Sequence, residues 1–174
     1  MAADTTTSPL RPDFHFLGSH PAHAIALGFG AGLSPVAPGT AGTLMSAVVG
    51  FGLCQVFPPL DVALLSIPLF ILGVWACGVT GRDLGVHDHG SMVWDEIVAF
   101  LPLAAFASGS LLTEAAAFGL FRLFDIWKPF PIRQLDARVK GGLGVMIDDV
   151  FAAFYVCVAY VVFMSVIVGG LFKA

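Results

Sequence analysis

The sequence predicts an all-α fold, a polytopic integral membrane helical bundle of about four to five spans with a short or re-entrant helix before them. Three observations lead there. Hydrophobic residues make up 57% of the chain, charged residues only 11%, and the mean hydropathy is +0.90, whereas an ordinary soluble domain carries about 25% charged residues. A soluble core built from 174 residues cannot hide that much apolar surface, so the excess must face lipid or a large apolar partner. The apolar residues also fall into tracts near span length, punctuated by proline, glycine and clusters of charge.

Residues 1–21 are polar and contain proline. They lack the apolar run of a signal peptide and the arginines of a transit peptide, and are expected to be poorly ordered. Residues 22–174 are expected to form one membrane-embedded domain. Its first tract, 22–33, is short and glycine-rich and reads as the short or re-entrant helix. It runs into Ser34-Pro35-Val36-Ala37-Pro38-Gly39-Thr40-Ala41-Gly42-Thr43, where two prolines argue for a structured loop. Spans follow at about 43–57, 62–79, 91–107, 113–127 and 145–172. The third and fourth are near the lower limit for crossing a hydrocarbon core of about 30 Å at about 1.5 Å per residue.

If all five cross, one side collects Arg11, Arg82, Lys128, Arg133, Arg138 and Lys140, six of the eight basic residues, and the positive-inside rule makes that side cytoplasmic. The loops at 34–43, 82–89 and 128–144 reach the same face, as do the helix ends carrying Asp95, Glu96, Asp125, Asp148 and Asp149. A net charge of −4 without a basic stripe argues against nucleic acid as a partner. Cys54, Cys77 and Cys157 stand alone in apolar stretches and read as packing residues.

The strongest chemical signal is the set of carboxylates at span ends: Asp95-Glu96, Asp125 and Asp148-Asp149. Ionised carboxylates near hydrocarbon are costly unless paired or metal-bound, which makes them functional by default. Oxygen-only ligands suit Mg²⁺. Helix capping would account for one acid per helix start but not for doubled acids. Arg122 and Asp125 share a helix face that Lys128 continues, as a salt-bridge ladder or as part of a site. Lys128 and Arg133 are placed to meet a lipid phosphate. The turn Gly39-Thr40-Ala41-Gly42-Thr43 opens a helix and could cradle phosphate, or could simply admit the chain to the bilayer. His87-Asp88-His89 lacks the further ligands of a zinc site and reads as loop packing or substrate contact. No cysteine sits at the spacing of a phosphatase nucleophile, which leaves an activated water or a carboxylate as nucleophile.

Three long stretches resemble the signatures of the phosphatidylglycerophosphatase A family. They are Val86-His87-Asp88-His89-Gly90-Ser91-Met92-Val93-Trp94-Asp95-Glu96, Phe121-Arg122-Leu123-Phe124-Asp125-Ile126-Trp127-Lys128-Pro129-Phe130-Pro131-Ile132, and Gly141-Gly142-Leu143-Gly144-Val145-Met146-Ile147-Asp148-Asp149. Gly28-Phe29-Gly30-Ala31-Gly32-Leu33-Ser34-Pro35 and Pro38-Gly39-Thr40 resemble its N-terminal motif. Phe130 and Leu143 depart from the pattern but stay apolar.

The resemblance implies a multi-pass enzyme of the bacterial inner membrane, with its site facing the cytoplasm, that hydrolyses phosphatidylglycerophosphate to phosphatidylglycerol and phosphate with Mg²⁺. It places Asp83, Asp95, Glu96, Asp125, Lys128, Asp136, Asp148 and Asp149 at functional positions. On this reading Asp95, Glu96, Asp148 and Asp149 hold metal, and Asp125, Asp136, Asp149 and Lys128 are the catalytic candidates. Thr40, Arg122, Lys128, Arg133 and Arg138 are candidates for the substrate phosphate, with Asp83, His87, Asp88 and His89 as further site residues. A cation transporter or another metal-dependent lipid phosphotransferase could use the same carboxylates.

Overall fold

The computed structural model describes residues 11–171, with the backbone alone at 136 and 166–171. Among the described residues there are eight α-helices, one 3-10 segment and no strand. The order is α1 (Phe14–Ser19), α2 (Pro21–Ala26), a 3-10 segment (Gly28–Leu33), α3 (Pro38–Cys54), α4 (Pro59–Leu84), α5 (Trp94–Ala107), α6 (Leu111–Trp127), α7 (Ile132–Arg138) and α8 (Gly142–Leu171).

The polar N-terminal segment, expected to be poorly ordered, becomes helical at Phe14. Asp13 caps α1 by accepting from Phe16 N at 2.8 Å, and His20 Nδ1 caps α2 by accepting from Ala22 N. Residues 1–10 lie outside the described residues. The short helix expected in 22–33 is present as α2 and the 3-10 segment, each of six residues, the latter kinked at Phe29 and Gly30.

Two boundaries differ from the sequence expectation for identifiable reasons. Pro38 begins α3 instead of interrupting a loop, because at the first helical position its missing N–H is no loss and its φ is already helical. Helix α4 continues past 79 to Leu84, where Gly85 at φ +69° ends it, so Arg82 and Asp83 belong to its last turn and not to a loop. The expected loop at 128–144 contains α7.

Helix α5 is the centre of the molecule. Every side chain from Trp94 to Leu101 is buried, and α3, α4, α6 and α8 pack around it. Its 14 residues are enclosed by protein on most sides. The surrounding helices turn apolar side chains outward, among them Leu64, Ile67 and Ile71 on α4, Leu44 and Val48 on α3, and Val158, Val161 and Val162 on α8. Cys157 is exposed on that outer face of α8, while Cys77 is buried.

Among the described residues, two helices are long and apolar enough to cross a membrane. Pro59–Leu84 has a mean hydropathy of 2.3 over its best window, and Gly142–Ser165 has 2.0. Helices α3, α5 and α6, with 17, 14 and 17 residues, are shorter. The described chain is therefore an all-helical bundle with two span-length helices, a coarser statement than the expected four to five spans.

Candidate active site

The site is built where the start of α5 meets the starts of α3 and α8 and the end of α6. Several bonds hold the first turn of α5 in place. Val93 N donates to Ala26 O at 2.9 Å, Trp94 Nε1 donates to Leu69 O at 3.1 Å, and Ser46 Oγ donates to Ile97 O at 2.6 Å. Asp95 and Glu96 are thereby held inside the protein, at 7% and 9% exposure. Asp149, on the second turn of α8, comes to the same place and is 2% exposed.

Asp95, Glu96 and Asp149 each offer a carboxylate oxygen, and these atoms lie within 4.8 Å of one another. Two full negative charges at that separation repel by about 3 kcal/mol even at an effective dielectric constant of about 20. One oxygen of each group, Asp95 Oδ1, Glu96 Oε2 and Asp149 Oδ2, is buried without a hydrogen-bond partner. Converging, buried, unpartnered oxygens of this kind fit a hard divalent cation.

Positive charge borders the cluster on one side. Arg122 Nη1 on α6 stands 2.7 Å from Asp125 Oδ2 and 3.5 Å from Glu96 Oε1. Asp125 in turn is an electrostatic neighbour of Glu96 and Asp149. The first turn of α3 closes against this pair: a Cβ on Gly39 would collide with Glu96 Oε1 and stand 3.0 Å from Arg122 Nη2. Any larger residue would have to push aside the tips of Glu96 and Arg122, and the glycine lets the positive end of the α3 dipole lie beside the carboxylates. Thr40, next in that turn, is half-buried.

Asp148 does not join the three-carboxylate cluster. Its side chain, also buried, takes Lys128 Nζ at 2.5 Å. Lys128 caps α6 in the left-handed region at φ +45°, which turns its side chain toward α8 instead of continuing the Arg122–Asp125 row. Arg133 and Arg138 are exposed on α7, which packs against α8. The side chain of Asp136 lies outside the described residues.

The histidines and Asp83 have other neighbours. His87 Nε2 faces Val139 O at 3.3 Å, and His89 Nδ1 accepts from Ser91 N at 3.1 Å. Neither belongs to the carboxylate cluster, and Asp88 is exposed. Asp83 Oδ2 is 2.8 Å from Nε2 of His23, a buried residue on α2 whose Nδ1 meets Ser19 Oγ and Phe16 O. The sequence held no sign of this pairing, because sixty residues separate the two groups. It likewise held no sign that Gly39 touches Glu96 and Arg122.

A sequence model of the family described as Phosphatidylglycerophosphatase A matches residues 24–164. A Phosphatidylglycerophosphatase A of Haemophilus influenzae is 48% identical over 137 residues, covering 78% of this chain and 84% of the relative. That of Escherichia coli is 46% identical over 136 residues, covering 77% and 78%. A protein of Bacteroides thetaiotaomicron described as a putative phosphatidylinositol-3-phosphatase is 38% identical over 138 residues, covering 75% and 86%. No solved structure matches. Matched over most of its length by the family's sequence model and by relatives of nearly half identity, the chain belongs to the phosphatidylglycerophosphatase A family.

Proposed function

We propose that the protein hydrolyses the phosphomonoester of phosphatidylglycerophosphate, giving phosphatidylglycerol and phosphate, and that it does so with Mg²⁺. The observation that carries this reading is the convergence of Asp95, Glu96 and Asp149, each with an unpartnered buried oxygen, beside Arg122. The two relatives named for this activity support the substrate.

Asp95, Glu96 and Asp149 would hold the cation, and Asp148 would act through Lys128 in place of ligating the same ion. When bound, Mg²⁺ supplies Lewis acidity toward the phosphoryl oxygens. The remaining work falls to side chains. Arg122, kept in place by Asp125 and Glu96, presents its guanidinium to the non-bridging oxygens. Lys128 adds a second cation at the rim. Water attacks phosphorus as the bond to the glycerol oxygen breaks; the water loses a proton, and the leaving oxygen gains one. Asp125, paired with Arg122 and next to Asp149, is placed to orient that water or to protonate the leaving oxygen. Asp136 on α7 is the alternative donor.

The chain crosses the bacterial inner membrane several times, with α3, α5 and α6 joining the two span-length helices, and its site opens at the cytoplasmic headgroup plane. Support comes from the outward apolar faces of α3, α4, α6 and α8 and from six of the eight basic residues falling on one side. The acyl chains stay in the bilayer beside α6. Phosphate release from phosphatidylglycerophosphate by the purified protein, with Mg²⁺ or with EDTA, tests the reading. Release that requires metal and is lost in Asp149→Asn is the expected result; release that persists in EDTA would contradict the metal assignment.

A further inference from the structure

Helix α6 ends on a backbone conformation that glycine usually supplies. Lys128 closes it at φ +45° and ψ +66°, in the left-handed region, with its N–H donating to Phe124 O at 2.9 Å. A lysine there is strained by its own Cβ, so the conformation persists only where neighbours impose it. Pro129, Phe130 and Pro131 follow at once and lead into α7, whose first residue, Ile132, is fully buried.

Tyr155 on α8 meets the chain on both sides of Lys128. Its hydroxyl donates to Phe130 O at 2.6 Å, and its ring lies 5.4 Å from that of Phe124, tilted by 39°. Phe124 is about one helical turn before Lys128, and Phe130 comes just after it. The Phe130 side chain is 73% exposed, so its carbonyl, not its ring, ties this residue to α8.

About two turns before Tyr155, on the same face of α8, Asp148 takes the other end of the lysine. Asp148 Oδ2 is 2.5 Å from Lys128 Nζ, and Oδ1 accepts from the backbone N–H of Asp149 at 3.1 Å. Lys128 is thereby kept beside the residue that gives a carboxylate to the cluster. Its side chain is 25% exposed, so it is open to a ligand arriving from outside.

We propose that Tyr155 is a positioning residue for the reaction, its hydroxyl holding the turn from Lys128 to Pro131 on α8 and so aiming Lys128 at the phosphate. The inference rests on the reading above in which Lys128 contacts the phosphomonoester, and it adds the group that fixes the lysine's backbone. Asp148 holds the ammonium; Tyr155 holds the turn that carries it. Without the hydroxyl, Lys128 can relax out of the left-handed region, and the ammonium moves off its place beside Asp148. Tyr155 acts only through Lys128 and takes no part in bond breaking.

The test is a double-mutant cycle on phosphate release from phosphatidylglycerophosphate by the full chain in detergent with Mg²⁺. Tyr155→Phe keeps the ring against Phe124 and removes only the hydroxyl. In the wild-type background it should lower kcat/KM about fivefold while shifting the melting temperature by less than about 3 °C. In the Lys128→Ala background it should lower the remaining activity less than about 1.5-fold, because the group it positions is already gone. A hydroxyl that served only the packing of α8 would cost the same factor in both backgrounds, and that result would overturn the assignment. Wild-type activity in Tyr155→Phe would overturn it as well, as would undiminished activity in Lys128→Ala, which removes the residue through which Tyr155 acts. A wild type that releases no phosphate would instead contradict the phosphatase reading itself.

Discussion

Among the described residues, two groupings of acidic and basic side chains are built on opposite terms. At the α2–α4 contact, His23 is 4% exposed and both its ring nitrogens have partners, Asp83 on one side and Ser19 with Phe16 O on the other, while its ring stacks on Phe16 at 4.0 Å. At the α5–α8 contact, three carboxylates share one small volume and each keeps an oxygen without a partner. The first cluster is complete within the chain and ties the N-terminal helices to the end of α4. On the proposed reading the second is completed by a bound cation. Burial of charge alone does not separate a structural pair from a reaction site; the unpartnered oxygens do.

The largest effect that sharpens this contrast comes from Asp149→Asn. Phosphate release should fall by about a thousandfold or more, since the change removes a ligand and a charge from the site. Measured in EDTA, the melting temperature of the same variant should equal or exceed that of wild type, because one of three crowded acidic groups has gone. A large loss of stability in EDTA would mean that Asp149 is a structural group like Asp83.

Gly39→Ala should come next, with activity reduced about tenfold to a hundredfold, because the added methyl displaces Glu96 and Arg122 while every charged group remains. Unchanged kcat/KM in this variant would show that the α3 turn does not set the site. Lys128→Ala should lower activity about tenfold and, by stripping the ammonium held against the buried Asp148, lower the melting temperature in detergent by several degrees. The smallest effect is expected for Asp83→Asn. Its carboxylate side chain is 48% exposed, so losing the charge should cost about 1 kcal/mol or less in stability and change phosphate release less than about threefold. A loss of activity comparable to that of Asp149→Asn would erase the distinction between the two clusters.

Much of this was legible in the residues. The doubled acids at span starts, the shared face of Arg122 and Asp125, and the proline and glycine punctuation between helices all follow from local chemistry. Three things were not legible, for physical reasons. Asp148 and Asp149 are neighbours in sequence, but successive residues on a helix point about 100° apart, and only packing decides which one faces Asp95 and Glu96. Proline at 38 reads equally as a helix breaker and as a helix start until the neighbours of the turn are known. His23 meets Asp83 and Gly39 meets Glu96 across long stretches of chain, through contacts that exist only once the helices have packed. The carboxylate cluster was thus half visible: its acids could be named, but not its membership.

Metal binding by the purified protein tests the central claim most directly, for instance by calorimetric titration with Mg²⁺ or by the spectrum of bound Mn²⁺. The structure leads us to expect metal binding that needs Asp95, Glu96 and Asp149 together, is lost in Asp149→Asn and persists in Asp83→Asn. Undiminished metal binding by a folded Asp149→Asn protein would contradict the account.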